Sequence, residues 1–172
     1  MRVRAFSQVQ GYRSGLICGE EPELCVRLRA SGWRIWHIDR EMTLHDAALY
    51  RFSQWWRRMV RGGYAYAQGA YLHGKPPERH WVSESRRAWI WGLWIPMLIL
   101  ALALAFGPAA LMALVIYPLQ VARLAMSGSG SPSRNWLHAA ALVLSKFPET
   151  VGQVKFMRDR VRGARSKIIE YK

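Results

Sequence analysis

Two adjacent acids, Glu20 and Glu21, stand where a glycine-containing loop gives way to a helical pattern. A carboxylate at the mouth of a pocket can take a proton from a substrate hydroxyl and so act as a general base. Repulsion between neighbouring carboxylates makes proton uptake by one of them easier. Acids are also common in the first turn of a helix, where they face the positive end of the helix dipole. The two acids therefore predict either a catalytic base or helix capping.

The surrounding residues predict the elements that would position these acids. A helix begins near Glu20, with Pro22 in its first turn, and Gly32 closes it. From Trp33 to Ile38 the chain is rich in β-forming residues, which predicts a strand. A turn or loop containing His45 follows this strand.

A second helical pattern, expected from Ala47 to Tyr71, carries aromatic residues on one face and arginines on the other. The apolar face holds Phe52, Trp55, Trp56 and Met59, and the basic face holds Arg57, Arg58 and Arg61. Indole rings can stack on sugar rings, and a guanidinium group binds phosphate through two parallel N–H···O hydrogen bonds. The same pattern is typical of an amphipathic helix on a membrane surface. Gly62 and Gly63 predict a kink or break in its middle.

An almost uninterrupted apolar run from Trp89 to Met126 is about twice the length of roughly 20 residues that one membrane crossing requires. We expect transmembrane helices at 89–106 and 109–126, with Pro108 starting the second. Basic residues flank the run, namely Arg79, Arg86 and Arg87 before it and Arg123 and Arg134 after it. Such flanks predict a multi-pass protein of the cytoplasmic (inner) membrane with both chain ends in the cytoplasm. A buried helical pair in a soluble protein is the alternative.

Composition narrows the class of partner. The chain of 172 residues has a formal net charge of +14, which suits anionic lipid, phosphate-bearing substrates or nucleic acid. The two expected transmembrane helices, which form a helical hairpin, argue against nucleic acid, and we expect no nucleic-acid partner. Two cysteines, Cys18 and Cys25, predict free thiols in a reducing compartment.

The expected organisation has five parts. Residues 1–74 form a partial catalytic domain and residues 75–88 a linker. The transmembrane hairpin occupies residues 89–126. A flexible connector covers 127–135, and an interfacial helix with a basic tail covers 136–172.

The segment GYRSGLICGEEPELCVRLRASGWRIWHIDREMTLHDA resembles the C-terminal half of the catalytic domain of family 2 glycosyltransferases. In that family an acidic motif precedes a helix with the pattern Glu-Leu-x-x-Arg-Leu, followed by a glycine and an aromatic-rich strand. Residues 23–28 reproduce the helix pattern here. The resemblance implies an α/β fold, the C-terminal half of a GT-A-type nucleotide-diphospho-sugar transferase domain, followed by the transmembrane hairpin and an interfacial basic helix. It also implies that Glu21, or else Glu20, is the base that deprotonates the acceptor hydroxyl.

Two further matches extend this resemblance. His45 stands where many members have a histidine near the donor diphosphate or its metal. Residues Gln54, Trp55, Trp56, Arg57 and Arg58 look similar to the Gln-x-x-Arg-Trp motif of processive members such as cellulose and chitin synthases, with Arg58 in place of tryptophan. This motif implies contacts with the acceptor and the donor diphosphate. The end of the chain, from Ser166, is similar to bacterial members that build exopolysaccharide or other envelope glycans.

The same resemblance implies components that this sequence lacks. The nucleotide-binding half, with its Asp-x-Asp metal motif, should precede Met1, and the isolated chain is expected to be inactive. A divalent metal, Mg²⁺ or Mn²⁺, is expected for the full-length family with its ligands mostly outside this chain, and we assign no metal ligands within it. Membrane lipid is an expected partner, and a nucleotide-sugar donor and a glycan or lipid-linked acceptor are expected only with the N-terminal half. The alternative is a non-enzymatic, membrane-anchored basic module that binds anionic lipid or a partner protein.

Overall fold

A computed structural model of the protein describes residues 1–36 and 50–163, and all regular elements in these ranges are helices. The seven helices in these ranges are α1 (Val3–Gln8), α2 (Glu20–Ala30), α3 (Phe52–His73), α4 (Val82–Phe106), α5 (Pro108–Met126), α6 (Pro132–Leu144) and α7 (Lys146–Val161). Helix α4 contains one π-helical stretch at Ile90–Trp94, and α5 begins as a 3₁₀ helix over Pro108–Val115.

The expectation of an α/β fold is wrong for the described residues, because they contain helices and no sheet. Residues 33–36, where the strand was expected to begin, have no regular secondary structure. Instead, the Trp33 N–H donates to the Leu28 carbonyl (3.0 Å) and the Gly32 N–H to that of Arg29 (2.9 Å), with Gly32 at φ +82°. These bonds form a Schellman cap. A strand also needs a neighbour for its backbone hydrogen bonds, and the described part of the chain offers none.

Several predicted features lie outside the described residues. They are the end of the expected strand (37–38), His45, the expected start of the second helix (47–49) and the end of the basic tail (164–172).

The N-terminal residues form a small core of their own. Ala5 and Val9 from the region of α1 pack against Leu24 and Leu28 of α2, and Trp33 closes the cluster. The Trp33 indole N–H also donates to Oε1 of Gln8 (3.0 Å), so this side chain joins the end of α2 to α1. The apolar i, i+4 pair Leu24 and Leu28 supplies the inner face of α2.

Helix α3 is continuous through Gly62 and Gly63, so the break expected there does not occur. The reason is the crossing of α3 and α7. A Cβ added to Gly63 would overlap the Glu149 carbonyl, and one added to Gly152 would overlap the Val60 carbonyl. The two glycines therefore let the helix backbones touch, as small residues do between membrane helices. Tyr64 and Phe156 add an edge-to-face ring contact, with centroids 5.3 Å apart.

Buried polar side chains join α7 to α4. The Thr150 hydroxyl donates to the Ala88 carbonyl (2.7 Å), and the fully buried Gln153 exchanges hydrogen bonds with Ser85. Thr150 and Gln153 thus have hydrogen-bond partners, as buried polar side chains require. Helix α4 begins at Val82, inside the segment expected to be a linker, and its first turns belong to this packed unit.

Helices α4 and α5 are each long and apolar enough to cross a membrane, and they turn at Gly107, as the apolar run predicted. Only 6% of the most apolar window in either helix is buried within the protein. Leu104 and Phe106, next to the turn, are both 81% exposed. A core helix of a soluble protein would be mostly buried, so this exposed apolar surface fits a pair of helices surrounded by lipid.

Candidate functional site

The candidate site is a cleft of about 410 Å³ along one face of α3. Helix α3 supplies most of its wall because residues 56, 57, 60, 61 and 64 follow helical spacing along one side. The loop before α2 and the helix α7 close it from the other sides. Its lining residues are Ile17, Trp56, Arg57, Val60, Arg61, Tyr64 and Lys155.

The cleft combines cations with aromatic rings. Arg57, Arg61 and Lys155 bring three positive charges, and no carboxylate is among the lining residues that the structure describes. Trp56 contributes an indole ring to the lining, and Tyr64, which is buried against Phe156, forms part of the wall. Guanidinium groups bind phosphate oxygens through paired, charge-assisted hydrogen bonds, and a flat indole suits a sugar ring or a base. The arrangement fits a ligand that has a phosphate or diphosphate beside a flat or ring-shaped group.

Of the residues predicted to bind substrate, Trp56 and Arg57 line the cleft. Gln54 caps the start of α3, since its Oε1 accepts the N–H groups of Tyr50 and Arg51 at 3.0 Å each. Trp55 lies against Phe52, with ring centroids 5.3 Å apart. Arg58 is exposed and is not among the lining residues. The structure thus brings two of the five motif residues together in this cleft.

Glu20 and Glu21 are exposed in the first turn of α2. They are joined to the cleft by a short loop, because Ile17 lines the cleft three residues before Glu20. The Cys18 thiol on this loop donates to the carbonyl of Arg61 at 3.5 Å. Burial raises the pKa of Cys18, the charge of Arg61 lowers it in part, and the charge of Glu20 raises it further. Glu20 is therefore close enough to this loop for its charge to be felt there.

Glu23, the third acid of that turn, has a different environment. It is 1% exposed and accepts hydrogen bonds from Nε and Nη2 of Arg27 at 2.8–3.0 Å. Nε2 of His73 lies 2.9 Å from its Oε1. Arg13 adds a longer ion pair at 3.5 Å. Arg27 also donates to the carbonyls of Val9 and Gly11. This buried cluster ties α2 to the loop after α1 and to the end of α3.

The Glu23 cluster was not predicted from the sequence. Its detectable signal is the i, i+4 spacing of Glu23 and Arg27, which is favourable on a helix. His73 lies 50 positions away, and no local pattern connects it with Glu23. The cleft residues Ile17 and Lys155 were missed for the same reason, since they meet α3 only through tertiary packing.

We predict that acid weakens the Glu23 cluster. Burial alone would raise the pKa of Glu23, but hydrogen bonds from Arg27 and His73 and the charges of Arg27 and Arg13 outweigh it, so this pKa lies below its usual range. A carboxylate with a lowered folded-state pKa stabilises the fold above its unfolded-state pKa, and that stability is lost as the pH falls through the folded-state value.

The measurement is thermal unfolding of the wild type and Glu23→Gln in detergent micelles, from pH 7 down to about pH 3. The wild type is expected to melt higher at pH 7, and the gap is expected to narrow as the pH falls below about 4.5. A gap of constant size across this range would show that the ionised carboxylate does not stabilise the cluster.

Among the described residues, no three His, Cys, Asp or Glu side chains lie close enough together to hold a metal ion.

Comparison with known proteins gave no match: no family model, no curated protein and no solved structure is similar to this chain.

Proposed function

We propose that this chain is the acceptor-side, membrane-bound part of an inverting glycosyltransferase of family 2, which transfers a sugar from a nucleotide donor to a lipid-linked or polysaccharide acceptor. The observation that carries the proposal is the cleft on α3, where Trp56 and Arg57 lie together with Arg61 and Lys155. These residue types match what a sugar diphosphate needs from a protein. The loop that closes the cleft leads directly to Glu20 and Glu21.

In the proposed reaction Glu21, or Glu20 in its place, takes the proton of the acceptor hydroxyl. The acceptor oxygen then bonds to the anomeric carbon of the donor sugar, and the bond from that carbon to the diphosphate breaks. The nucleoside diphosphate leaves with the electron pair. Arg57, Arg61 and Lys155 stabilise the negative charge that grows on the leaving group, since cations aimed at developing charge lower the barrier.

The helical hairpin and its flanking charges support the proposed membrane placement. Arg86 and Arg87 stand at the start of the apolar part of α4, and Arg123 stands near the end of α5. Under the positive-inside rule these ends lie in the cytoplasm. The cleft would then face the cytoplasmic side of the bacterial inner membrane, where nucleotide sugars are made. A separate donor-binding unit, which this sequence does not contain, would supply the nucleotide site and the metal ligands.

Diphosphate binding is the first test of the cleft. We expect the purified chain in maltoside micelles to bind inorganic pyrophosphate, and Arg57→Gln, Arg61→Gln or Lys155→Gln to weaken it about ten- to a hundredfold each. Each change removes one charge-assisted hydrogen bond, worth about 1.5–3 kcal/mol. Isothermal titration calorimetry measures the dissociation constants.

Arg162→Gln is the matched control, because Arg162 is an exposed arginine at the end of α7 and is not among the cleft-lining residues. It should bind pyrophosphate within about twofold of the wild type. If all four variants lose affinity equally, binding reflects net charge alone and the cleft is not a diphosphate site.

Sugar transfer tests the role of the acids. The assay uses membranes that contain the chain together with the polypeptide encoded immediately upstream of it. In these membranes Glu21→Gln is expected to abolish incorporation of radiolabelled sugar while donor binding persists. General-base groups contribute typically about 10²–10⁴-fold to rate. Full transfer by Glu21→Gln, with loss only in Glu20→Gln, would move the role to Glu20. Transfer that survives in both would refute a base in this motif.

One observation favours the non-enzymatic alternative. Glu20 and Glu21 are exposed at the N-terminus of α2, where acids stabilise a helix through its dipole without any catalytic role. The chain would then be a basic membrane module that binds anionic lipid or a partner protein. Salt-dependent binding to anionic vesicles, combined with no affinity for nucleotide sugars or pyrophosphate, would support this function.

A further inference from the structure

A second cleft, of about 170 Å³, lies where the ends of the hairpin meet α6 and α7. Its lining joins polar and cationic side chains to apolar ones. The residues are Arg87, Trp91, Gln120, Leu124, Leu142, Val143 and Lys146.

The cleft lies at the boundary between the charged and the apolar parts of the hairpin. Helix α4 has no charged residue from Ala88 to Phe106, and α5 has none before Arg123. Arg87 and Gln120 therefore mark the depth at which the apolar band ends. Headgroup phosphates lie at this depth in a bilayer, next to the hydrocarbon region.

The balance of charge in the cleft is positive. Lys146 Nζ lies 2.7 Å from Oε2 of the buried Glu149, whose other oxygen accepts the Ser145 hydroxyl at 2.7 Å. This pairing neutralises one of the two cations. Arg87 is exposed, and among the described residues no carboxylate lies within 4.0 Å of its guanidinium. The net charge left at the cleft is that of Arg87, which suits an anionic group.

The size of the cleft restricts the ligand further. Pockets that enclose a whole small molecule have volumes of roughly 300–1,000 Å³, so this cleft can hold only part of a larger amphiphile. Leu142, which lines it, is 40% exposed. A ligand with its polar end inside the cleft can therefore continue along apolar side chains into the bilayer.

We propose that this cleft binds the headgroup of an anionic membrane phospholipid. Arg87 supplies the charge that holds the phosphate, Lys146 donates a further N–H beside its ion pair with Glu149, Gln120 donates to a headgroup oxygen, and the acyl chains lie along Leu124 and Leu142. The site requires the hairpin to lie in a membrane, but it does not depend on sugar transfer. Loss of lipid binding and loss of pyrophosphate binding in the α3 cleft are therefore independent results.

The test uses the full chain in maltoside micelles and phosphatidylglycerol with brominated acyl chains, since bromine quenches nearby tryptophans. Brominated phosphatidylglycerol is expected to quench more than brominated phosphatidylcholine, and Trp91→Phe should remove the difference. Arg87→Gln should raise the apparent dissociation constant about ten- to a hundredfold through the lost charge-assisted hydrogen bond.

Arg86→Gln is the matched control, because it removes the same charge from the neighbouring position, which is also exposed and lies outside the cleft lining. It should change the dissociation constant by less than about twofold. Circular dichroism is expected to show that both variants keep their helices. Equal losses in both variants would overturn the proposal, since they would indicate a diffuse surface charge.

A competition arm distinguishes a lipid from a free phosphate ester. Glycerol 3-phosphate lacks the acyl chains and should not displace the brominated lipid at millimolar concentration. Leu142→Gln should weaken binding of the brominated lipid and should have no effect on any binding of glycerol 3-phosphate. Displacement by glycerol 3-phosphate, or equal quenching by the two brominated lipids, would contradict a phospholipid site.

Discussion

Gly63→Ala is expected to destabilise the crossing of α3 and α7 by about 2–3 kcal/mol or more, whereas Gly62→Ala is expected to be neutral or stabilising. The new methyl group at position 63 would overlap the Glu149 carbonyl. This oxygen belongs to the α7 backbone, so the helix itself must move. Overpacking of this kind costs typically about 1–3 kcal/mol, and more where the neighbour cannot give way.

Gly62 is the matched control within the same helix. A Cβ at this position meets nothing within 4 Å apart from the backbone of its own helix, and alanine in a helix interior is more favourable than glycine by about 0.5–1 kcal/mol. Amide hydrogen exchange of α3 and α7 in micelles measures both effects as changes in the free energy of opening. If both substitutions shift this free energy in the same direction, the two helix backbones are not in contact at Gly63.

Glu23→Ala is expected to cost about 3–5 kcal/mol in the stability of the N-terminal unit. The change leaves Arg27 without its paired carboxylate, and removing one partner of a buried ion pair carries a penalty of this size. The His73 contact that joins the end of α3 to α2 is lost as well. The loss of stability should appear as faster amide hydrogen exchange in α2 and as faster proteolytic cleavage on the N-terminal side of Phe52.

Glu21→Ala serves as the control, because Glu21 lies in the same turn but is exposed. It should cost less than about 1 kcal/mol, the size of one favourable charge at a helix N-terminus. Arg27→Met should lower the stability about as much as Glu23→Ala does. It leaves the Glu23 carboxylate and the carbonyls of Val9 and Gly11 without the hydrogen bonds that Arg27 donates. Equal stability of Glu23→Ala and Glu21→Ala would exclude the buried cluster as a stabilising element.

The strand expected at Trp33 shows where local residue preference fails. Trp33, Ile35 and Trp36 favour β structure, but this preference describes how a side chain fits a sheet that already exists. The backbone N–H of Trp33 forms part of the Schellman cap, and its indole N–H donates to Gln8. Trp33 therefore completes the end of a helix and does not begin a strand. The fold class inferred from family resemblance was therefore wrong for the described residues.

The candidate site was predictable only in part. Trp56 and Arg57 could be singled out because they belong to one helix face and a short motif. Ile17 and Lys155 join them from positions far away in the chain, and no spacing rule relates them. For Glu20, Glu21 and Glu23, helical position indicated an acidic first turn, but only the packing of His73 and Arg27 determined that the third acid is the buried one.

Local sequence was sufficient to predict the hairpin and the approximate bounds of α2. Apolar length, the Gly107-Pro108 turn and the Gly32 cap act within a few residues, so their effect does not depend on the rest of the fold. Three features emerge only from tertiary packing: which of two adjacent glycines lies at the helix crossing, which acid is buried, and which cations line one cleft. These outcomes depend on the approach of backbones separated by many residues, and local sequence does not encode that distance.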